Sequence, residues 1–402
     1  MSATSPLPPS TLHVILGPAS CAAIEPALAA SGNPDVWVHR YTQEVEGWQL
    51  SIATHGAPGS NTLSLGGFRI APEHRTSLAD YDNDREAIEL AMGMEEKIYW
   101  SRVIGVGGPL LLRRGAALVG GKCVLRPSAD ARVGQPRDAE LLDFAIACFR
   151  HFEATSGVHL VTGQDLGHGT MSDGVTGSLA YVNSRFHGSV GADTSKPTAE
   201  GNYRLLRGML AALDVPLDRA RVGLIGCGNI GLHLLGRLRE ERANVTVLES
   251  SPSRRAEVAA GGTAVLTPDQ KGELLAMPLD AIVVNASGGS LDVDSVARIA
   301  ANASVRVICG SENLAMPDPR AAETLRAAGK VYAPTELGGM MGYLTAVEEH
   351  LAAREGVPFE LATLFEAAGR LEEAGRAAAT YVREHDFAPS FEDAVRAVSS
   401  PR

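Results

Sequence analysis

Three ionisable side chains stand in settings that are unusual for their type. Lys122 lies in Gly120-Gly121-Lys122, inside the apolar segment 115–125, GAALVGGKCVL. A lysine in a buried strand needs a partner or a cleft, or it must snorkel to water from the strand end. Burial and a second cation nearby would lower its pKa and make it useful for proton transfer near neutrality. Lysine is scarce: Lys97, Lys122, Lys196, Lys271 and Lys330 are five of the 36 basic residues. A lysine is therefore not this chain's ordinary surface cation, which favours chemistry at Lys122. Asp165 follows an apolar run in Gly163-Gln164-Asp165-Leu166-Gly167, where an N-cap or turn aspartate is the plain alternative. Lys97 closes Gly93-Met94-Glu95-Glu96-Lys97 and by itself reads as a solvated cation at a helix C-terminus.

A second pattern binds rather than reacts. Gly226-Cys227-Gly228-Asn229-Ile230-Gly231 follows the apolar run 221–225, and Glu249 ends the next apolar run, 18 positions after Gly231. The first glycine permits the tight turn, the second lets a pyrophosphate approach the main chain, and the third lets helix and strand pack closely. The helix N-terminus then offers unpaired N–H groups to the phosphates. Glu249 would accept hydrogen bonds from the adenosine ribose and repel a 2′-phosphate, which favours NAD. Arg254 and Arg255 follow closely and leave NADP open.

These residues need elements to hold them. A chain of 402 residues exceeds one ordinary core and predicts two domains of roughly 150–200 residues. Residues 1–10, rich in Ser and Pro, read as a disordered tail. An α/β substrate domain is expected over 11–197, with strands in LHVILG, DVWVHRYT, WQLSIATHG, TLSLGGFRI, 115–125 and 158–166, and helices near 82–98 and 137–153. Over 198–345, short apolar runs alternate with helical stretches. That is the pattern of a doubly wound parallel sheet, a Rossmann-type dinucleotide domain. Ala-, Glu- and Arg-rich helices over 346–402 are expected to pack back on the first domain.

Composition narrows the partners. The formal charge of −11 disfavours nucleic acid but leaves room for a small anionic substrate in one cationic pocket. The five cysteines are scattered without a CxxC pair, so neither a metal site nor a disulfide framework is predicted, and cytoplasmic reduced thiols are the simplest reading. No signal peptide and no membrane span are expected.

The motifs occur in an order that resembles the glutamate/leucine/phenylalanine/valine dehydrogenase family over roughly residues 35–380. They are Leu65-Gly66-Gly67-Phe68-Arg69, Ala91-Met92-Gly93-Met94 followed by Lys97, Gly120-Gly121-Lys122, Gln164-Asp165-Leu166-Gly167, Thr198-Ala199 with Gly201, the Rossmann glycines, Ala286-Ser287-Gly288-Gly289, Asn313, and Tyr332-Ala333-Pro334 leading to Gly338-Gly339. The resemblance implies an NAD-dependent L-amino-acid dehydrogenase, interconverting an amino acid with its 2-oxo acid and ammonia, and a homo-oligomer. It assigns Lys97 to the substrate α-carboxylate, with Gly66 and Gly67 in the substrate-pocket loop. Lys122 would polarise the carbonyl or activate water, and Asp165 would shuttle protons to and from the amine. Thr198 and Asn313 are implied to lie near the nicotinamide, and Ala286 and Ser287 to bind the cofactor.

Two places depart from the family pattern. Lys97 and Lys122 are 25 positions apart, and the additional stretch, roughly 99–114, would either reshape the pocket or form a surface or oligomer contact. Glu336-Leu337-Gly338-Gly339 stands where the family has Asn-Ala-Gly-Gly; Glu336 would bind a basic group of an unusual substrate or face water. These departures keep two alternatives in view. One is a related NAD(P)-dependent imine or amine oxidoreductase on a specialised biosynthetic substrate. The other is a catalytically inactive NAD-binding homologue.

Overall fold

The computed structural model describes residues 6–114 and 117–399, which divide into two compact units. Of the described residues, the first holds those up to 98, those within 109–193 and 346–359; the second holds 99–108, 194–345 and those from 360 onward.

The first unit is built on a seven-stranded mixed sheet. Its strands are β1 (Thr11–Leu16), β2 (Trp37–Gln43), β3 (Trp48–Thr54), β4 (Leu63–Leu65), β5 (Phe68–Ile70), β6 (Leu118–Arg126) and β7 (His159–Val161). The order is β1-β2-β3-β6-β4-β7, with β5 also paired to β6. Neighbours from β1 to β6 are antiparallel, whereas β4 and β5 run parallel to β6, and β7 parallel to β4. Register places Tyr41 beside Leu50 and Leu50 beside Leu125, so alternate residues put one apolar face toward the helix Asp138–Ser156. Leu141, Leu142, Phe149 and Phe152 of that helix complete the core.

Three expectations change here. The segment TLSLGGFRI is two strands, not one. An added Cβ at Gly66 would lie 1.8 Å from the Gly121 carbonyl oxygen, so β4 and β5 pair with successive stretches of β6 while the two glycines pass over it. The strand expected over 158–166 keeps only His159–Val161. The tail over 1–10 falls in part outside the described residues, but Leu7 packs on the core and the Pro9 carbonyl accepts a hydrogen bond from Gln43 Nε2 at 2.7 Å.

The second unit has a six-stranded parallel sheet of β8 (Arg221–Ile225), β9 (Asn244–Leu248), β10 (Ala264–Leu266), β11 (Ala281–Val284), β12 (Val307–Gly310) and β13 (Val331–Tyr332). The order β10-β9-β8-β11-β12-β13 reverses between β8 and β11, which opens a crevice at the carboxyl ends of those strands. Ile225, Leu248, Ile282, Val284 and Ile308 form its core.

The helices Leu361–Ala367, Gly369–Glu384 and Phe391–Ser399 group with this second unit, not with the first. The cause is close helix packing. A Cβ at Gly208 would lie 2.1 Å from the Glu372 carbonyl oxygen, and one at Gly375 would lie 2.9 Å from the Leu205 side chain. The helix Gly369–Glu384 thus lies tightly along the helix Ser195–Ala212. Of residues 346–402, only 346–359, the second half of the helix Thr335–Glu355 and the segment after it, belong to the first unit.

Candidate active site and dinucleotide crevice

In the first unit, β6 delivers Lys122 and the turn after β7 delivers Asp165. Lys122 Nζ donates to Asp165 Oδ2, and their side chains are 4% and 8% exposed. Asp165 Oδ1 accepts from Arg69 Nε and Nη2 at 3.3 and 3.2 Å, and from the Leu166 N–H at 2.6 Å. Arg69, at the centre of β5, turns its other nitrogen Nη1 to Glu86 Oε1 at 2.7 Å. Gly67 makes room for this group: its Cβ would stand 3.1 Å from Asp165 Cβ and 3.2 Å from Lys122 Nζ. Gly167, at φ +85°, turns the chain away beyond Asp165, where a Cβ would meet the Ile70 carbonyl oxygen at 2.1 Å.

The electrostatics follow from burial and charge. Burial lowers the Lys122 pKa, Arg69 lowers it further, and Asp165 opposes both; the outcome is below the ordinary lysine value. For Asp165, burial alone would raise the pKa. The charges of Arg69 and Lys122 and the hydrogen bonds from Lys122 and Leu166 outweigh it, and the carboxyl is held below the usual range. Beside them, His168 Nε2 donates to the Phe68 carbonyl at 2.8 Å, so Nδ1 accepts from Ser178 Oγ at 3.0 Å; burial lowers its pKa and keeps it neutral.

Gly66, Gly67, Lys122 and Asp165 therefore form one cluster. Lys97 comes from another element. It is not a helix-end cation, because the helix Asn83–Ile104 continues past it, and it is 6% exposed. That helix lies directly on β6: a Cβ at Gly120 would be 2.4 Å from the Glu95 amide nitrogen, and the Glu95 carboxylate accepts the Gly120 N–H at 2.6 Å. Arg69 and Glu86 were not singled out by their sequence context. Arg69 sits within a quoted motif, but nothing local discloses that its guanidinium spans two buried carboxylates.

The additional stretch is mostly helical: the end of Asn83–Ile104, then Pro109–Arg114. Within the second unit, Trp100 is buried, the Arg396 guanidinium stands 4.9 Å from its ring centroid, and the Tyr343 hydroxyl donates to Ser101 Oγ.

The second unit holds the glycine turn as expected of a nucleotide crevice. Gly226 has φ +85°, and a Cβ there would lie 2.6 Å from the Ala286 amide nitrogen. A Cβ at Gly231 would lie 2.2 Å from the Gly226 carbonyl oxygen, whereas one at Gly228 would meet nothing within 4 Å. Gly226 and Gly231 thus serve the fold, and Gly228 leaves open space. Gly228 caps the helix Asn229–Glu240 without a side-chain hydrogen bond, which leaves the helix N-terminus to a ligand. The residues fit a dinucleotide pyrophosphate. Glu249 Oε2 accepts the Cys227 N–H at 2.6 Å and Oε1 the Ser251 N–H at 2.7 Å, so this carboxylate also ties the turn to the end of β9. Arg254 reaches Asn229 Oδ1 at 3.4 Å, and Arg255 binds the carbonyls of Glu249 and Ser250 at 3.0 and 2.6 Å.

On the other side of the crevice, Ala286 and Ser287 follow β11 and are exposed. Asn313 is half-buried beyond β12. Thr198, in the helix Ser195–Ala212, donates its hydroxyl to the Thr194 carbonyl at 2.7 Å. Glu336 is half-buried in the first turn of Thr335–Glu355; it adds to the burial that raises the pKa of Glu392. Sequence inspection missed Glu312, which accepts the amides of Ala286 and Ser290 at 2.9 Å each. Among the described residues, no group of three or more His, Cys, Asp or Glu could hold a metal ion, and no helix is long and apolar enough to cross a membrane.

No family model matches the chain. It is 30% identical to a valine dehydrogenase of Streptomyces virginiae over 237 residues, which covers 57% of this chain and 62% of that protein. It is 25% identical to the leucine dehydrogenase of Bacillus subtilis over 283 residues, covering 68% and 70%. Among solved structures, the hetero-hexameric glutamate dehydrogenase of Thermus thermophilus superposes with a TM-score of 0.63 at 15% identity, over 98% of this chain and 87% of that one.

Proposed function

We propose that this chain is a member of the amino-acid dehydrogenase family, an NAD(P)-dependent L-amino-acid dehydrogenase that oxidises an amino acid to its 2-oxo acid and ammonia, reversibly. The observation that supports this best is the buried Lys122–Asp165 pair beside Gly67, with Arg69 fixing the far side of the carboxylate. When bound, the dinucleotide supplies the acceptor for the substrate's α-hydrogen as hydride. Gly226, Gly228, Asn229, Ile230 and Gly231 would hold its pyrophosphate, Glu249 its adenosine ribose, and Thr198, Ala286, Ser287 and Asn313 would border the nicotinamide.

Lys97 receives the substrate carboxylate, a cation for an anion. Lys122, in its neutral form, takes a proton from the water that attacks the iminium carbon. Its lowered pKa makes that form available at lower pH than in an ordinary lysine. Asp165 exchanges a proton with the substrate nitrogen, and Arg69 keeps it ionised between exchanges. NAD is the proposed nucleotide, because the Glu249 carboxylate at the end of β9 disfavours a 2′-phosphate. The five free, buried cysteines accord with a cytoplasmic protein. A homo-oligomer accords with edge strand β1, which exposes Leu12, Val14 and Ile15.

The test is NADH formation from NAD with a panel of L-amino acids, and NADH oxidation with 2-oxo acids plus ammonium. Turnover only with an amine in place of ammonia would move the chain to the imine-reducing alternative. Cofactor binding without turnover on any substrate would make it an inactive homologue.

A further inference from the structure

Glu312 is a buried carboxylate, 2% exposed, two residues past β12. Its two oxygens are divided: Oε2 accepts the Ala286 N–H and Oε1 accepts the Ser290 N–H, each at 2.9 Å. Two main-chain bonds run alongside, from Gly289 N–H to the Leu314 carbonyl at 2.9 Å and from Leu291 N–H to the Ala315 carbonyl at 2.8 Å. The loop after β11 is thereby strapped at four points to the segment after β12. It needs strapping, because Gly288 and Gly289 have φ of 126° and 74° and supply no side chain to pack. Ala286 is also the residue against which Gly226 of the phosphate turn is packed. Burying a carboxylate is costly unless its oxygens are hydrogen-bonded, and here both oxygens are engaged by the main chain of the loop they strap.

We propose that Glu312 is a positioning residue for the dinucleotide: by holding both ends of the Ala286–Ser290 turn, it fixes the surface that receives the nicotinamide–ribose half of the cofactor. This rests on the dehydrogenase function proposed above. Glutamate suits the task because both oxygens accept. Glutamine would present one acceptor and one NH₂, which would face an N–H donor. Aspartate carries the same two oxygens one methylene closer to its own main chain, so its reach to the two amides is shorter.

The experiment measures NADH binding by fluorescence, with steady-state kinetics, for the wild type, Glu312→Gln and Glu312→Asp. We expect Glu312→Gln to raise the NADH Kd and the dinucleotide KM by on the order of tenfold, the loss of about one charge-assisted hydrogen bond. The amino-acid KM should stay within about twofold, since a purely local cofactor effect leaves substrate binding in place. Equal NADH affinity in the wild type and a folded Glu312→Gln would overturn the inference and leave the dehydrogenase function standing. Binding of neither NADH nor NADPH by the wild type would remove both. If Glu312→Gln does not fold, hydrogen exchange in the unliganded wild type decides. Slow amides at Ala286 and Ser290, slowed further by NADH, support the role; exchange as fast as in an exposed loop refutes it.

Discussion

At the residue scale, the proposed chemistry rests on one amine and one carboxylate whose charges are managed by a third group. Truncating Lys122 to Ala should lower kcat by about 10²–10⁴-fold, the usual worth of a positioned general acid or base. Lys97→Ala should chiefly raise KM for the amino acid, and steady-state kinetics on both variants will rank them. Arg69→Met would leave Asp165 and Glu86 buried without their shared cation. Asp165 keeps Lys122 and Glu86 keeps Arg75 at 3.4 Å, so a loss of about 3 kcal/mol, the low end for a broken buried pair, is expected in denaturant unfolding. The pH dependence has two signs. Asp165 has a folded pKa below its unfolded value of about 3.9, so its stabilisation is present above that value and is lost as the pH falls through the folded pKa. Asp165→Asn should therefore flatten the acid side of a melting-temperature profile. Lys122 has a lowered pKa, so the deamination rate should rise with pH along a limb centred below the ordinary lysine value of about 10.4. Lys122 stood out in the sequence because a lysine is foreign to an apolar strand, whereas Asp165 reads as an ordinary turn aspartate and was legible only through the family resemblance. Arg69 and Glu86 were not, because an arginine in a strand and a glutamate early in a helix contradict nothing. Their pairing is a tertiary fact.

Elements explain the glycines, and here two residues of one type do opposite work. Gly228→Ala should leave thermal stability nearly unchanged, since its Cβ would meet nothing, yet weaken dinucleotide binding by closing the space a pyrophosphate needs. Gly226→Ala should destabilise the protein itself, because its φ of +85° and the Ala286 main chain leave no place for a Cβ. Calorimetry with and without NADH separates the two. The alternation of strands and helices in the second unit was readable from apolar runs, since a strand buried on both faces carries few polar interruptions. Strand ends were less readable. The run 158–166 looks continuous, but β7 stops at Val161, where the main chain must turn to bring Asp165 toward Lys122. Likewise, the pattern in TLSLGGFRI gives no hint that Gly66 rides on the Gly121 carbonyl.

For the molecule as a whole, the chain divides into two compact units, and the C-terminal helices group with the second, not with the first as their sequence suggested. An amphipathic helix discloses that it has a partner but not which one. The choice was made by Gly208 and Gly375, small residues that admit the helix Gly369–Glu384 against Ser195–Ala212. Gly208→Val should lower stability by about 1–3 kcal/mol through overpacking, seen as a lower denaturant midpoint. Removing residues from 360 onward should cost the second unit its fold, so that NADH binding disappears along with the missing helices.

The most direct test is NADH absorbance over time with NAD and a panel of L-amino acids, run in parallel on the wild type, Lys122→Ala and Asp165→Asn. We predict that the wild type forms NADH, 2-oxo acid and ammonia in equal amounts from at least one amino acid. Both variants should still bind NADH but turn over at least about 10²-fold more slowly. Wild-type rates in a folded Lys122→Ala protein would contradict the chemistry assigned to the pair.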